Sequence, residues 1–130
     1  MNEQHSRTLL VCGAIAAGSG VAIGAWGAHG LRTVVAPDML ATFETAVRYQ
    51  MYHSIATLIA GVVIEKSSSE NVKWIVIAGW CFIIGILLFS GSLYLLVLLN
   101  QRWFGVITPV GGISFIAGWI ALAISLARRK

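Results

Sequence analysis

Two of the three histidines, His29 and His53, lie in or beside the apolar runs and have the side chains best suited to bind a metal. Imidazole is the commonest metal-binding side chain, so two histidines at one depth of a fold could hold a metal ion or a haem. A structural metal site usually needs four protein ligands, and no cysteine or paired carboxylate motif accompanies these two. We therefore predict no metal and no cofactor. We expect His29 to cap the first helix or to bond a neighbouring backbone carbonyl.

A second candidate is the pair Glu44 and Arg48, which are four residues apart. On a helix this spacing places the two side chains next to each other, so the sequence predicts an ion pair. The pair can serve as a structural clasp or as part of a ligand site, and both readings stay open. Tyr49, Tyr52 and Tyr94 could close a pocket around it.

No catalytic constellation is visible in the sequence. A nucleophile needs an activating base, and acid–base chemistry needs two groups with matched roles, and neither arrangement can be named here. Cys12 and Cys81 lie far apart in apolar runs and do not form a Cys-x-x-Cys motif. We read them as buried free thiols and predict that the protein is not an enzyme.

Four runs without Asp, Glu, Lys or Arg must position these side chains: residues 8–31, 49–64, 74–101 and 103–127. All but the second have the roughly 20 residues that a helix needs to cross a bilayer. The sequence predicts an all-α integral membrane protein, a single domain formed by a four-helix bundle. Its spans are expected at about 8–29, 38–64, 73–99 and 108–127.

Composition excludes an ordinary soluble domain. Only 11% of the 130 residues are charged and 58% are hydrophobic, whereas about a quarter of a soluble domain is charged. The net charge of +4 does not indicate nucleic acid, because Arg128, Arg129 and Lys130 directly follow the last apolar run. Cations in that position are typical membrane anchors, and the predicted partner is the lipid bilayer.

The distribution of basic residues predicts the topology. Four spans place both termini and the middle loop on one side, together with the larger set of cations: Arg7, Lys66, Lys73, Arg128, Arg129 and Lys130. The other side has Arg32, Arg48 and Arg102. Because Lys and Arg mark the cytoplasmic side, we expect both termini and a turn over residues 67–71 to be cytoplasmic. No Arg-rich leader precedes the first span, so a bacterial cytoplasmic membrane is expected.

The second helix is the unusual one. Ala36-Pro37-Asp38 is typical of a helix start, and Thr108 followed by proline predicts a capped start for the fourth helix. The second helix has a narrow apolar stripe, formed by Leu40, Phe43, Val47, Met51 and Leu58. Its first half is otherwise polar, so that half must lie in the membrane interface or be wrapped by its neighbours.

Polar residues are expected to collect in one half of the bundle, the half opposite the termini. The candidate binding cluster there comprises His29, Glu44, Arg48, Tyr49, Tyr52, His53, Ser90, Ser92, Tyr94 and Thr108. The other half is almost wholly apolar in this reading. An ion path needs polar groups through the full thickness of the membrane, so none is predicted.

Small residues recur at four-residue steps on the first helix, at Ala16, Gly20, Gly24 and Ala28. The fourth helix has a similar stripe at Ala117, Ala121 and Ser125. Small residues at this spacing let a neighbouring backbone approach closely. We interpret both stripes as helix-packing surfaces.

Four motifs together suggest a family: GAWGAHGL at 24–31, YQMYH at 49–53, FSGSLY at 89–94 and TPVGG at 108–112. In this order they resemble the bacterial membrane family called domain of unknown function 423, whose eukaryotic relatives are the transmembrane protein 256 group. Many relatives have Phe where this chain has Trp26. The resemblance implies a four-helix inner-membrane protein. The family has no agreed activity, so the resemblance supplies no catalytic residues.

Two functional hypotheses follow. The first is a non-catalytic membrane component, either an accessory subunit of a homo-oligomer or larger complex, or a protein that stabilises the bilayer. The second is a binding protein or transporter for a small molecule or lipid, which would use the candidate cluster as its pocket.

Overall fold

The computed structural model describes residues 1–67 and 69–128, with only the backbone of residues 69 and 70. Its α-helices are α1 (Asn2–His29), α2 (Pro37–Glu65), α3 (Ser69–Gly85), α4 (Gly91–Leu98) and α5 (Thr108–Ala127). A π-helical segment, Ile86–Ser90, joins α3 to α4, so the five helices form four rods. The predicted roles of Ser68, Arg129 and Lys130 fall outside the described residues.

Three of the four rods are long and apolar enough to cross a membrane, over Asn2–Thr33, Asn71–Leu98 and Arg102–Ala127. The predicted all-α membrane fold is confirmed. Helix α2 has 29 residues and is long enough to cross, but its polar side chains set it apart as the sequence indicated. We call the end of the bundle with the connections at 30–36 and 99–107 the loop end, and the opposite end the termini end.

Helix α2 lies at the centre and contacts α1, α3, the π-helical segment and α4. The neighbours bury a polar set on α2: Gln50, His53, Ser54 and Thr57. Other polar residues of the same helix, Glu44, Arg48, Tyr49 and Tyr52, remain exposed. The wrapping expected for the polar half of this helix therefore covers only one side of it.

Glycines of α1 form its contact with α2. Four of them face large side chains, in the pairs Gly13 with Leu58, Gly20 with Met51, Gly24 with Val47 and Gly27 with Phe43. Gly20 and Gly24 of the predicted packing stripe lie in this contact, whereas Ala28 is exposed and Gly27 takes its place. Each four-residue step drifts about 40° around a helix of 3.6 residues per turn, so a strict four-residue stripe leaves the contact face.

Aromatic side chains pack against glycines where α3 and α5 meet. The contacts are Gly118 with Phe82, Gly85 with Phe115, and Gly111 with the backbone of Phe89. Ala121 and Ser125 are buried in this seam, but Ala117 is exposed, contrary to the predicted stripe. The cause is the same angular drift, which brings Gly118 into the contact face.

The predicted start of the second helix is confirmed, because α2 begins at Pro37 with Ala36 as its N-cap. Helix α5 begins at Thr108 and has proline in its first turn, also as predicted. The capping role of Thr108 is wrong, since Ile107 is the N-cap. The Thr108 hydroxyl instead lies 2.7 Å from the Ser92 hydroxyl, because inside the bundle a neighbouring span offers it a partner.

The π-helical segment was not predicted from the sequence. Its bond runs from the backbone N–H of Gly91 to the carbonyl of Ile86, five residues earlier. Such segments insert one residue into a helix and are frequent at functional sites. Here the segment lies against α2 and α5, at the level of the candidate cluster.

Candidate functional site

A buried amide, Gln50, connects three of the four rods. Its side chain is 4% exposed. Gln50 Nε2 donates to the Ala16 carbonyl at 2.8 Å and to the Ser19 hydroxyl at 3.0 Å, and Gln50 Oε1 accepts from the Tyr94 hydroxyl at 2.6 Å. An amide in a water-free interior is costly unless its donors and acceptor are bonded. We call Gln50, Ser19, Tyr94 and the Ala16 carbonyl the Gln50 network.

Three hydroxyl groups make further bonds between helices. The Ser90 hydroxyl, at the end of the π-helical segment, donates to the Ala46 carbonyl of α2 at 2.7 Å. Ser92 donates to the Phe89 carbonyl at 2.9 Å, so its oxygen is left to accept from the Thr108 hydroxyl at 2.7 Å. These residues hold the third rod against α2 and α5.

His53 is fixed as a neutral imidazole. Trp119 Nε1 can only donate, and it lies 3.2 Å from His53 Nε2, so this nitrogen carries no proton. His53 Nδ1 then holds the proton and donates it to the Tyr49 carbonyl at 2.7 Å. The imidazole ring also stacks on the Phe115 ring, with 3.4 Å between the ring centroids and 9° between the ring planes. Both nitrogens are engaged within the bundle.

His29 lies apart from His53, at the last residue of α1, and is exposed. His29 Nδ1 lies 2.8 Å from the Ala25 carbonyl, which can only accept, so the ring donates the bond. This is the backbone contact expected for His29. Among the side chains of residues 1–67 and 71–128, no three His, Cys, Asp or Glu groups lie together as metal ligands would.

An aromatic groove of about 560 Å³ opens between α2, the π-helical segment and α5. It is lined by Tyr49, Tyr52, His53, Phe89, Gly112, Phe115, Ile116 and Trp119. The Tyr49 ring stacks on Phe89 at 4.5 Å. Tyr49 and Tyr52 are 39% and 56% exposed, and among the described residues neither hydroxyl has a hydrogen-bond partner.

A second, charged groove of about 300 Å³ lies along the α1–α2 seam. It is lined by Gly24, Gly27, Ala28, Phe43, Glu44, Val47 and Arg48. The predicted ion pair between Glu44 and Arg48 is wrong, since the one ion pair in the described part of the chain joins Arg102 and Asp38 at 3.9 Å. Both side chains are exposed in the groove, so no neighbouring group among the described residues holds the two long side chains in one paired geometry.

The predicted single cluster is therefore divided among several places. Tyr94 belongs to the Gln50 network, and Ser90, Ser92 and Thr108 bond between helices. Tyr49, Tyr52 and His53 line the aromatic groove, Glu44 and Arg48 line the charged groove, and His29 is separate. Successive residues of a helix point about 100° apart, so neighbours on α2 face different helices.

Two residues central to this arrangement, Gln50 and Trp119, are missing from the predicted cluster. Gln50 is an amide in a charge-free run, and an amide in a membrane helix needs partners on other helices, so its residue type was the available signal. Trp119 gives a weaker signal, because a tryptophan in an apolar span is explained as readily by packing of its ring as by a bond of its N–H group.

The half of the bundle near the termini is less apolar than predicted. The Ser6 hydroxyl of α1 donates to a Glu65 carboxylate oxygen of α2 at 3.0 Å. The Ser125 hydroxyl of α5 donates to the Asn71 carbonyl of α3 at 3.3 Å. Polar contacts thus join pairs of rods at this end as well.

Comparisons with known proteins place these features in a family. The family model described as "Protein of unknown function (DUF423)" matches residues 23–112. A UPF0382 membrane protein of Staphylococcus aureus (strain bovine RF122 / ET3-1) is 47% identical over 119 residues, 92% of this chain and 94% of the relative. One of Staphylococcus haemolyticus is 44% identical over 119 residues, again 92% and 94% of the two chains. No solved structure matches.

Proposed function

This chain belongs to the DUF423 family of membrane proteins, described as of unknown function, and we propose that it is a non-catalytic accessory component of the bacterial cytoplasmic membrane. In this role the bundle is a compact scaffold that assembles with other membrane proteins or with copies of itself. We also propose that both termini are cytoplasmic, as the excess of Lys and Arg at the termini end favours.

The Gln50 network is the observation that carries this proposal. A catalytic or ligand-binding side chain needs at least one polar atom that is free to contact the substrate or ligand. The amide nitrogen of Gln50 bonds to α1, and its amide oxygen bonds to α4. His53 is committed to Tyr49 and Trp119 in the same way. The amide of Gln50 and the imidazole of His53 thus form hydrogen bonds within the bundle, which supports a structural role for both.

Photo-crosslinking in intact cells tests the accessory role. A photoreactive amino acid at Val21 on α1 or at Ile113 on α5 would face lipid or a partner, since these side chains are 62% and 67% exposed. The matched control is Ala60, which is 0% exposed. We expect a discrete protein adduct from at least one exposed position and none from the control. Lipid adducts alone at both exposed positions would contradict the accessory role.

The aromatic groove favours a second candidate function, the binding of a small apolar molecule. Its two tyrosine hydroxyls have no partner among the described residues, and a ligand with a hydrogen-bond acceptor would supply one. Such a ligand would lie among the exposed faces of the rings, where flat apolar groups pack well.

Blocking the aromatic groove tests this second function. A leucine at Gly112 would project into the groove, where an added Cβ meets only Phe89 Cδ2, at 3.9 Å. The control is Gly18→Leu, at a position open to the surroundings on α1. Both variants are extracted in a membrane-excising copolymer, and small molecules are measured by mass spectrometry. A molecule bound to the control and absent from Gly112→Leu supports binding in the groove. Equal content in both variants contradicts it.

A further inference from the structure

Two opposite charges share the charged groove without meeting each other. Glu44 and Arg48 are exposed, and neither forms an ion pair or a hydrogen bond with any described residue. Both line the same space of about 300 Å³ on the α1–α2 seam. The groove therefore offers one cationic and one anionic group, about one helical turn apart, to whatever occupies it.

The depth of Glu44 and Arg48 in the membrane follows approximately from residue counts along the helices. Helix α5 has 20 residues, so it is about as long as the hydrocarbon core is thick, roughly 30 Å. Trp119 lies near its middle and bonds His53. Counting along α2 from His53 at 1.5 Å per residue, Arg48 lies about 7 Å nearer the loop end and Glu44 about 13 Å nearer. The backbone of Arg48 thus lies inside the hydrocarbon core, where a charged side chain needs a partner.

Both side chains are directed toward the membrane surface. Cα–Cβ bonds tilt toward the N-terminus of a helix, and the N-terminus of α2 is at the loop end. An arginine in this position extends its guanidinium toward the phosphates of the nearest leaflet. Glu44 lies one turn further out. In a phospholipid the phosphate is likewise nearer the acyl chains, and an amine in the headgroup lies further out.

We propose that the charged groove binds one phospholipid of the loop-end leaflet, with a headgroup that carries both a phosphate and a primary ammonium group. The Arg48 guanidinium donates to two phosphate oxygens, the geometry that its planar fork favours. The Glu44 carboxylate accepts a hydrogen bond from the ammonium group. This inference goes beyond the accessory role, since it requires no protein partner.

Headgroup preference of the unmodified protein is the first test. Purified protein in detergent is titrated with phosphatidylethanolamine, phosphatidylcholine and phosphatidylglycerol of identical acyl chains, and each complex is counted by native mass spectrometry. Phosphatidylcholine has no N–H donor and phosphatidylglycerol has no cation. We expect phosphatidylethanolamine to bind about tenfold more tightly than either, as loss of one charge-assisted hydrogen bond predicts. Equal affinity for the three lipids would overturn the proposal.

A second arm distinguishes two sources of the same chemistry. Lysyl-phosphatidylglycerol also combines a phosphate with an ammonium group, on a longer headgroup. If it binds more tightly than phosphatidylethanolamine, the aminoacylated lipid is the better occupant, and the reverse order favours the ethanolamine lipid.

Variants assign the two contacts. Arg48→Gln should weaken binding of all the phospholipids about tenfold, because the phosphate contact is common to them. Glu44→Gln should leave phosphatidylglycerol binding unchanged and abolish the preference for the ammonium group. The control Arg32→Gln removes an exposed cation at the loop end that is not among the groove residues and should change neither. Unchanged binding in Arg48→Gln, or a preference that persists in Glu44→Gln, would overturn the assignment. If a variant fails to fold, the headgroup preference of the unmodified protein still tests the proposal.

Discussion

Substitution of Gly111 by alanine is expected to destabilise the bundle, whereas the same change at the next residue is not. A Cβ at Gly111 would meet the backbone nitrogen of Phe89 and would lie 2.8 Å from its Cα. A Cβ at Gly112 would meet only Phe89 Cδ2, at 3.9 Å. Phe89 belongs to the π-helical segment, whose backbone is held against α2 by Ser90. The clash at Gly111 therefore cannot be relieved by rotation of a side chain.

The two neighbouring glycines allow the cost of this clash to be isolated. Replacing Gly by Ala within a helix gains up to about 1 kcal/mol from propensity, and both positions lie in the same part of α5. That gain largely cancels when Gly111→Ala is compared with Gly112→Ala. The remaining difference is the cost of overpacking, typically about 1–3 kcal/mol. We expect the upper part of this range, because backbone atoms must move.

Reversible unfolding in mixed micelles provides the measurement. Dodecyl sulfate is titrated into protein in a mild detergent, and the fluorescence of the five tryptophans reports the fraction folded. Gly112→Ala should match or slightly exceed the unmodified protein, and Gly111→Ala should unfold at a clearly lower dodecyl sulfate fraction. Equal stability of the two variants would show that α5 does not press on the π-helical segment as described.

Three further predictions address the interior, the α1–α2 seam and the topology. Gln50→Leu should lower the free energy of unfolding by about 1–3 kcal/mol in the same titration, because it leaves the half-buried Tyr94 hydroxyl without its acceptor and removes the bonds from α2 to Ala16 and Ser19; an unchanged midpoint would refute this. Gly27→Leu should greatly reduce the yield of folded protein, whereas Gly18→Leu should not, since an added Cβ meets Phe43 at 2.5 Å only in the first case. In a chain without its native cysteines, an impermeant thiol reagent should label Thr33→Cys but not Ser68→Cys in intact cells, and the reverse pattern would invert the topology.

The number and order of the helices could be predicted because the membrane acts on each segment separately. A span must be apolar over its whole length whatever it packs against, so charge-free runs identify α1, the third rod and α5 directly. Helix α2 could be recognised as unusual for the same reason. Its start at Pro37 follows from local backbone chemistry.

Helix rotation was only partly predictable. The small residues of α1 indicated its packing face, and Gly20 and Gly24 do lie in the seam. The face could not be followed to the helix end, where Gly27 rather than Ala28 makes the contact. The seam follows 3.6 residues per turn, which no fixed step of three or four residues reproduces over a whole span.

The contacts within the candidate site could not be predicted from the sequence alone. The sequence predicts which polar residues share one half of the membrane, because distance along a helix is proportional to residue number. It did not determine which of them meet, since that depends on how each helix is rotated and on which neighbour faces it. Gln50 is buried and bonded to α1 and α4, while Arg48, about half a turn away along the chain, faces the charged groove. Only the packing of the four rods decides whether a polar side chain of α2 bonds to another helix, as Gln50 does, or lines an open groove, as Arg48 does.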